Sequence, residues 1–345
     1  MEYRLGLIGF GGVNHALTEI IRDYGDKLYR QYDIRLKITF VSDLFLGAVS
    51  DEDGLSLDSL INLPRHKGAF AELQNGTKEP NTEQLIQAGI TDILSEATFT
   101  NAETGEPATT YCRQALEQGV HVVTTNKGPV ALALDSLTDI AQQNNCEFRF
   151  EGAVMSGTPV LNLAAETFAG NPIKGFCGIL NGTCNYIIGQ MEKGVSKAEA
   201  ISQAQALGYA EADPTADVEG FDVMLKVGIL GKQLLNLNIP LAHIERSGIE
   251  NLSESDVLSA VDEGQHWKLI GEAVATKNGD YRLTVGPKKL SGDHPLAGVS
   301  GPVNALCFDT ELLGSVTIVG PGAGRRETGF ALLSDILAIH RKQQG

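Results

Sequence analysis

RLGLIGFGGVNHALTEIIRDYG, residues 4–25, changes period halfway: an apolar run at Arg4–Ile8, glycines at 9, 11 and 12, then apolar residues at helical intervals from Val13. The first part reads as a strand and the last, Val13–Tyr24, as a helix. Glycines between the two allow a tight reversal and leave backbone N–H groups exposed at a helix N-terminus, where the pyrophosphate of a dinucleotide is held. The candidate turn is Gly9, Phe10, Gly11, Gly12, Val13 and Asn14. Asn14 stands where the third glycine of G-x-G-x-x-G would be, which predicts looser packing of helix on strand. A tight turn without any ligand is the competing reading.

Outward from this stretch, strands are predicted at Leu36–Val41, Asp92–Ala97, His121–Thr124 and Cys146–Phe150, with helices at Pro107–Gln118 and Val130–Gln143. That alternation predicts an α/β, Rossmann-type domain over residues 1–150. Asp43, ending the second strand, offers a carboxylate to an adenosine ribose, and no Arg or Lys follows until Arg65, so NAD is favoured over NADP. The long Gly9-to-Asp43 spacing reads as an insertion around Tyr24–Arg35. From Glu151 the pattern becomes α+β. Ile173–Leu180 is strand-like, Ser196 and Glu199 form a capping box for a helix closed by Gly208, and Asp217–Leu235 reads as one helix. This predicts a second domain over 151–319, with the glycine-rich turn and apolar helix of 320–345 returning to the first.

The stretch YAEADPTADVEGFDVMLK, residues 209–226, gathers Glu211, Asp213, Asp217, Glu219 and Asp222 ahead of Lys226. Acids at a helix N-terminus and an i,i+4 ion pair worth a few tenths of a kcal/mol explain it without any function. A formal charge of −16 argues against nucleic acid and anionic membranes as partners. The five cysteines are scattered without a C-x-x-C pair, which fits a reducing cytoplasm, and the seven histidines show no zinc-hydrolase spacing. The N-terminus carries no secretory pattern, and no run of eighteen apolar residues occurs.

Several blocks together, in order, are GFGGVN, TNAETGEPATTYCRQALEQGVHVVTTNKGPVAL, EGAVMSGTPVL, ILNGTCNYI, LGYAEADPTADVEGFDVMLK, HPLAGVSGPVNA and GPGAG with SDIL. The sequence resembles homoserine dehydrogenases, which interconvert L-homoserine and L-aspartate 4-semialdehyde with a nicotinamide cofactor. The resemblance implies a nucleotide domain completed by the C-terminal helix and a substrate domain whose sheet forms a homodimer interface. Many members carry a regulatory domain after the catalytic portion; ending at Gly345, this chain is expected to lack feedback through one. The match implies active-site roles for Lys127 and Lys226, substrate binding by Glu211 and Asp222, and cofactor contacts at Thr98, Thr125, Asn126, Gly324 and Thr328. It also implies a monovalent cation, Na+ or K+, at Glu151, Val154, Ser156 and Thr158. Arg325 and Arg326 fall near the cofactor's phosphates or nicotinamide, or form an ion pair between domains or subunits.

The chemistry fits those residue types. Homoserine is a zwitterion with a terminal hydroxyl, so its site needs a carboxylate for the ammonium, donors for the α-carboxylate and a proton acceptor at the reacting oxygen. Glu211 with Asp222 suits the first, and the Asn181-Gly182-Thr183 turn the second. An isolated lysine, with a reference pKa of about 10.4, is a poor base until burial or a second cation lowers it. Lys127 is therefore expected as the acid/base and Lys226, oriented by Asp222, as its electrostatic partner, with exchanged roles or a lysine-bound water as alternatives. Two other functions stay open: a relative acting on a different hydroxy amino acid or hydroxy acid, and a non-catalytic dinucleotide-binding regulator.

Overall fold

The computed structural model describes residues 1–344. They form two compact units, residues 1–157 joined by the stretch from Gly324 onward, and residues 158–323.

In the first unit β1 (Glu2–Ile8) leads through the glycine turn into α1 (Gly12–Tyr32), then β2 (Arg35–Asp43) and β3 (Gly47–Ser50). The chain continues through α2 (Leu57–Ile61), β4 (Gly76–Thr77), α3 (Thr82–Gln87), β5 (Ile93–Glu96), α4 (Ala108–Glu117), β6 (His121–Thr124), α5 (Lys127–Gln143) and β7 (Phe148–Arg149). The sheet order is β4-β3-β2-β1-β5-β6-β7. β1 pairs in parallel with β2 and β5, and β5-β6-β7 continue in parallel, so their carboxyl ends open on one edge. β3 and β4 extend the other side antiparallel. These two were not predicted; at four and two residues they carry too little alternation to read.

Two expectations, on Asn14 and on the start of α5, are corrected by the structure, and the long spacing takes a definite form. The segment Tyr24–Arg35, which lengthens the Gly9-to-Asp43 spacing, is largely helical rather than a loop: α1 runs on to Tyr32, keeps Leu28 on its buried face, and stops where Asp33 turns left-handed at φ 54°. Asn14 does not loosen the turn. It is fully buried, donates from Nδ2 to the Ile8 and Gly9 carbonyls (3.1 and 2.9 Å), and accepts from the Ser95 hydroxyl at 2.7 Å. A third glycine would approach closely, whereas this asparagine stitches strand, turn and β5 together through buried groups whose loss of partners costs about 1–3 kcal/mol each. Finally, α5 starts at Lys127 rather than Val130, because Asn126 caps it by accepting from the Gly128 N–H at 3.0 Å and Pro129 sits in the first turn.

In the second unit β8 (Ile173–Ile179) precedes α6 (Gly182–Met191), α7 (Lys197–Ala206), α8 (Thr215–Val218) and α9 (Phe221–Leu235). β9 (Glu245–Arg246), α10 (Glu254–Asp262), β10 (Gln265–Ala275), β11 (Tyr281–Ser291), β12 (Val303–Thr310) and β13 (Gly314–Pro321) complete it, and α11 (Arg325–Gln344) returns to the first unit. The sheet order is β13-β12-β8-β10-β11-β9. α9 lies on one face, with Val223 and Val227 so close to Gly271 that a Cβ there would sit 2.8 and 2.5 Å from their methyls. On the opposite face Val274 and Val319 are exposed by 51% and 53%.

The predicted helix Asp217–Leu235 is two helices. Gly220, at φ +81°, breaks the chain between α8 and α9, so Asp217 and Asp222 stand on separate elements. Ser196 does cap α7 by accepting from the Glu199 N–H, while Glu199 itself accepts from Gln203. The reciprocal capping box lies instead at Ser253 and Asp256 on α10.

α11 packs on α1 through Gly329, where a Cβ would meet the Leu17 nitrogen at 3.0 Å and the Ala16 methyl at 3.1 Å. Leu332, Leu333, Ile336 and Ile339 thereby enter the same core as Leu5, Leu7, Leu17 and Ile38. No helix among the described residues is long and apolar enough to cross a membrane, and the five cysteines are free thiols.

Candidate active site

The first unit supplies a cleft of about 220 Å³ at the carboxyl ends of β1, β2 and β5. Gly9, Gly11, Asp43 and Thr98 line it, as do Leu44, Pro80, Thr82, Phe99 and Tyr111, which sequence reasoning did not find. Those five are scattered over nearly seventy residues, and only Tyr111 falls in one of the blocks that carry the resemblance. Gly9 is left-handed at φ +76°, and a Cβ on it would strike the Ala97 carbonyl oxygen at 2.6 Å, whereas a Cβ on Gly11 would meet nothing within 4 Å. The space beside Gly11 is therefore open at the start of α1, the cradle that a pyrophosphate requires. A Cβ on Gly12 would instead touch the Arg325 stem at 2.8 Å.

Asp43 accepts from the backbone N–H groups of Phe10 (2.8 Å), Phe45 (2.9 Å) and Leu46 (3.0 Å). It ties β2 to the glycine turn, and an ionised carboxylate retains lone pairs for a further donor. Arg65, distant in sequence, folds back to donate to the Phe10 carbonyl oxygen at 2.8 Å. Asp43 and Arg65 thus hold the same residue, one at the Phe10 N–H and the other at its carbonyl. Arg326 faces the Tyr24 ring at 5.9 Å.

The loops after β5 and β6 are bound to each other. Asn126 donates from Nδ2 to the Thr98 hydroxyl oxygen (3.2 Å) and the Phe99 carbonyl (3.1 Å), and Thr125 lies against Gly152, whose Cβ would be 2.5 Å from the threonine methyl. Lys127, half-buried, begins α5 directly after them. Thr328 donates to the Gly324 carbonyl at 2.7 Å, and its hydroxyl lies 2.7 Å from that of Ser156.

The second unit holds a tighter cluster. Lys226, 7% exposed, donates from Nζ to Asp222 Oδ2 and to the Leu180 carbonyl, both at 2.7 Å. Asn181 donates from Nδ2 to Asp222 Oδ2 at 2.9 Å and Asp217 Oδ1 at 2.7 Å, while its Oδ1 accepts from the Cys184 N–H and so caps α6. Gly182 is required by space: a Cβ would lie 2.7 Å from the Pro302 carbonyl. Thr183 donates to the Tyr209 carbonyl at 2.6 Å. Asp217 is the member sequence reasoning placed on the wrong helix and left out of the site. Burial, and then the Asp222 charge, push its carboxyl up from the ordinary range. Glu211 lies on an exposed segment whose carbonyl accepts from Gln205, outside this cluster.

In the expected cation loop Glu151 is 2% exposed and Met155 and Ser156 are both left-handed, at φ 58° and 55°. The Glu151 N–H donates to Asp335, and the Val154 N–H to the Glu151 carbonyl. Thr158 belongs to the second unit and donates to the Pro321 carbonyl at 2.9 Å.

Comparison with known proteins fits this two-part arrangement. A family described as homoserine dehydrogenase, NAD binding domain, matches residues 9–151, and one described as homoserine dehydrogenase matches residues 159–337. The NAD(+)-dependent homoserine dehydrogenase of Pseudomonas canavaninivorans is 52% identical over 347 residues, covering 99% of each chain. Among solved structures, a homoserine dehydrogenase from Thiobacillus denitrificans has a TM-score of 0.85 at 28% identity, over 100% of this chain and 74% of that one. A hyperthermophilic archaeal homoserine dehydrogenase in complex with NADPH has a TM-score of 0.83 at 28% identity, over 99% and 98%. The chain belongs to the homoserine dehydrogenase family, as an NAD(P)-dependent oxidoreductase that interconverts L-homoserine and L-aspartate 4-semialdehyde.

Proposed function

We propose that Lys127 and Lys226 act together on the reacting oxygen, with Asp222 and Asp217 receiving the substrate ammonium and the N-terminus of α6 its α-carboxylate; Glu211, exposed and outside their cluster, would reach the ammonium only from the rim. The observation that supports this most is the buried Lys226–Asp222 pair at 2.7 Å. Two of the three hydrogens of the Lys226 ammonium are used on Asp222 and Leu180, leaving one for a substrate oxygen. That suits Lys226 to polarising the aldehyde and Lys127 to moving the hydroxyl proton. A bound nicotinamide would supply the hydride acceptor for the carbinol carbon. Free N–H groups of Gly182 and Thr183 at the start of α6 face an anion favourably.

NAD is proposed as the preferred cofactor. Asp43 disfavours a 2′-phosphate and offers an acceptor to a ribose hydroxyl, and the relative at 52% identity is described as NAD(+)-dependent. The Arg65 guanidinium, engaged with Phe10, is the feature on the other side. Initial rates of nicotinamide reduction with L-homoserine, compared with other hydroxy acids, test both substrate and cofactor. kcat/KM is expected at least about tenfold higher with NAD than with NADP, and Asp43→Ser is expected to narrow the gap. NADP preferred by the wild type overturns the assignment of Asp43. We also propose a monovalent cation, Na+ or K+, held by Glu151 and the backbone carbonyls near Val154, Ser156 and Thr158, since both hydroxyls are committed to protein partners. Equal rates in sodium, potassium and choline salts would remove it.

A homodimer through the sheet face that carries Val274 and Val319 is proposed because two β-branched side chains there are half exposed. A monomeric mass in sedimentation equilibrium would exclude it.

A further inference from the structure

Glu96, the last residue of β5, is fully buried and has no part in the roles given above. Its Oε1 accepts from the Thr98 N–H at 2.9 Å and the Thr98 hydroxyl at 2.5 Å, and its Oε2 accepts from the Thr124 hydroxyl at 2.8 Å. Both hydroxyl oxygens accept in turn from Asn126: its Nδ2 donates to Thr98 at 3.2 Å and its backbone N–H to Thr124 at 3.0 Å. The hydrogens run one way, from Asn126 through two threonines to Glu96. A chain of donors in this sense suits a group that accepts at both oxygens, as an ionised carboxylate does. Burial raises this carboxyl above the ordinary range, and the hydrogen bonds from Thr98, Thr124 and Asn126 offset that only in part, so the charged form gains from a cation brought to it.

Among the described residues no lysine, arginine or histidine forms an ion pair with Glu96. A buried charge without a counter-charge is costly, and several hydrogen bonds offset only part of that. Its place in the sheet says where a cation would come from. Glu96 and Thr124 end adjacent parallel strands, and open α/β sheets bind ligands outside the carboxyl ends of such strands. Thr98 and Asn126, which it anchors, are the residues assigned to the cofactor. In the forward reaction homoserine and NAD+ give the aldehyde, NADH and a proton, so the nicotinamide ring is cationic before hydride transfer and neutral after it.

We propose that Glu96 is the counter-charge of the oxidised nicotinamide, a positioning residue that holds Thr98 and Asn126 and biases binding toward NAD+ over NADH. This rests on the cofactor reading of the cleft. The charge acts on one redox form, whereas the ties to Thr98 and Asn126 serve both, and the two effects separate in the ratio of affinities.

The test is Kd for NAD+ by equilibrium dialysis and for NADH by fluorescence titration, on the full chain as wild type, Glu96→Gln and Glu96→Asp. In Glu96→Gln the ratio Kd(NAD+)/Kd(NADH) is expected to rise about tenfold, and in Glu96→Asp, which keeps the charge, to stay within about threefold of wild type. Equal weakening of both forms, or an unchanged ratio in Glu96→Gln, overturns the proposal, because a purely structural tie gives that result. If Glu96→Gln does not fold, the wild-type and Glu96→Asp ratios decide: NADH bound more than about tenfold tighter than NAD+ by both overturns it, and NAD+ bound at least as tightly supports it. Failure of the cofactor reading is distinct, since neither form would then bind the wild-type chain, and the proposal falls with it.

Discussion

Lys226→Met is expected to lower kcat about a thousandfold while the Kd for NAD+ stays within about threefold of wild type, and Lys127→Met to lower kcat by about 10²–10⁴. Removal of an oriented cation at a developing alkoxide, or of a proton acceptor, carries losses of that size. The expected pattern differs between the two. At 226 the neutral side chain leaves the carboxylate of Asp222, already sharing Asn181 with Asp217, without its cation at 2.7 Å. The variant should therefore lose some thermal stability in the second unit as well as turnover. At 127 the side chain begins α5 and is half-buried, so its removal should cost turnover with little change in melting. Stopped-flow single turnovers measure the chemical step directly. Wild-type single-turnover rates in both variants would refute a lysine pair at the reacting oxygen.

Much of this was legible in the sequence because the decisive signals are local. The glycine turn at 9–12 sits between a strand and a helix that each follow a clear period, and Asp222 with Lys226 are one helical turn apart wherever that helix begins. What escaped reading depends on chain segments far apart in sequence. Arg65 returns to Phe10 across 55 positions, and Ser95 meets Asn14 across 81. Asn14 looked like a defect in the glycine fingerprint because its three partners cannot be seen in sequence. Asp217–Leu235 reads as one helix, but the left-handed backbone of Gly220 separates α8 from α9, and Asp217 accepts from Asn181. Glu96 gave no signal either: one acid ending an apolar strand acquires meaning only when Thr98, Thr124 and Asn126 close around it.

The glycine turn offers a second large effect, in which neighbouring glycines fail for opposite reasons. Gly11→Val should leave the urea midpoint of the first unit nearly unchanged, since its Cβ enters open space, yet weaken NAD+ binding by at least about a hundredfold by filling the room a pyrophosphate needs beside free N–H groups. Gly9→Ala should do the reverse in stability. Its backbone lies at φ +76°, and its Cβ would press on the Ala97 carbonyl at 2.6 Å, so strain and a shift of β1 against β5 should cost about 2–4 kcal/mol. Loss of NAD+ affinity there would follow from the displaced turn. The contrast matters because a turn conserved in shape only, without a ligand, predicts a different pair: Gly9→Ala still destabilises, but Gly11→Val is silent in every assay. Calorimetric titration of NAD+ into Gly11→Val, alongside urea unfolding of both variants, separates a phosphate cradle from a mere chain reversal.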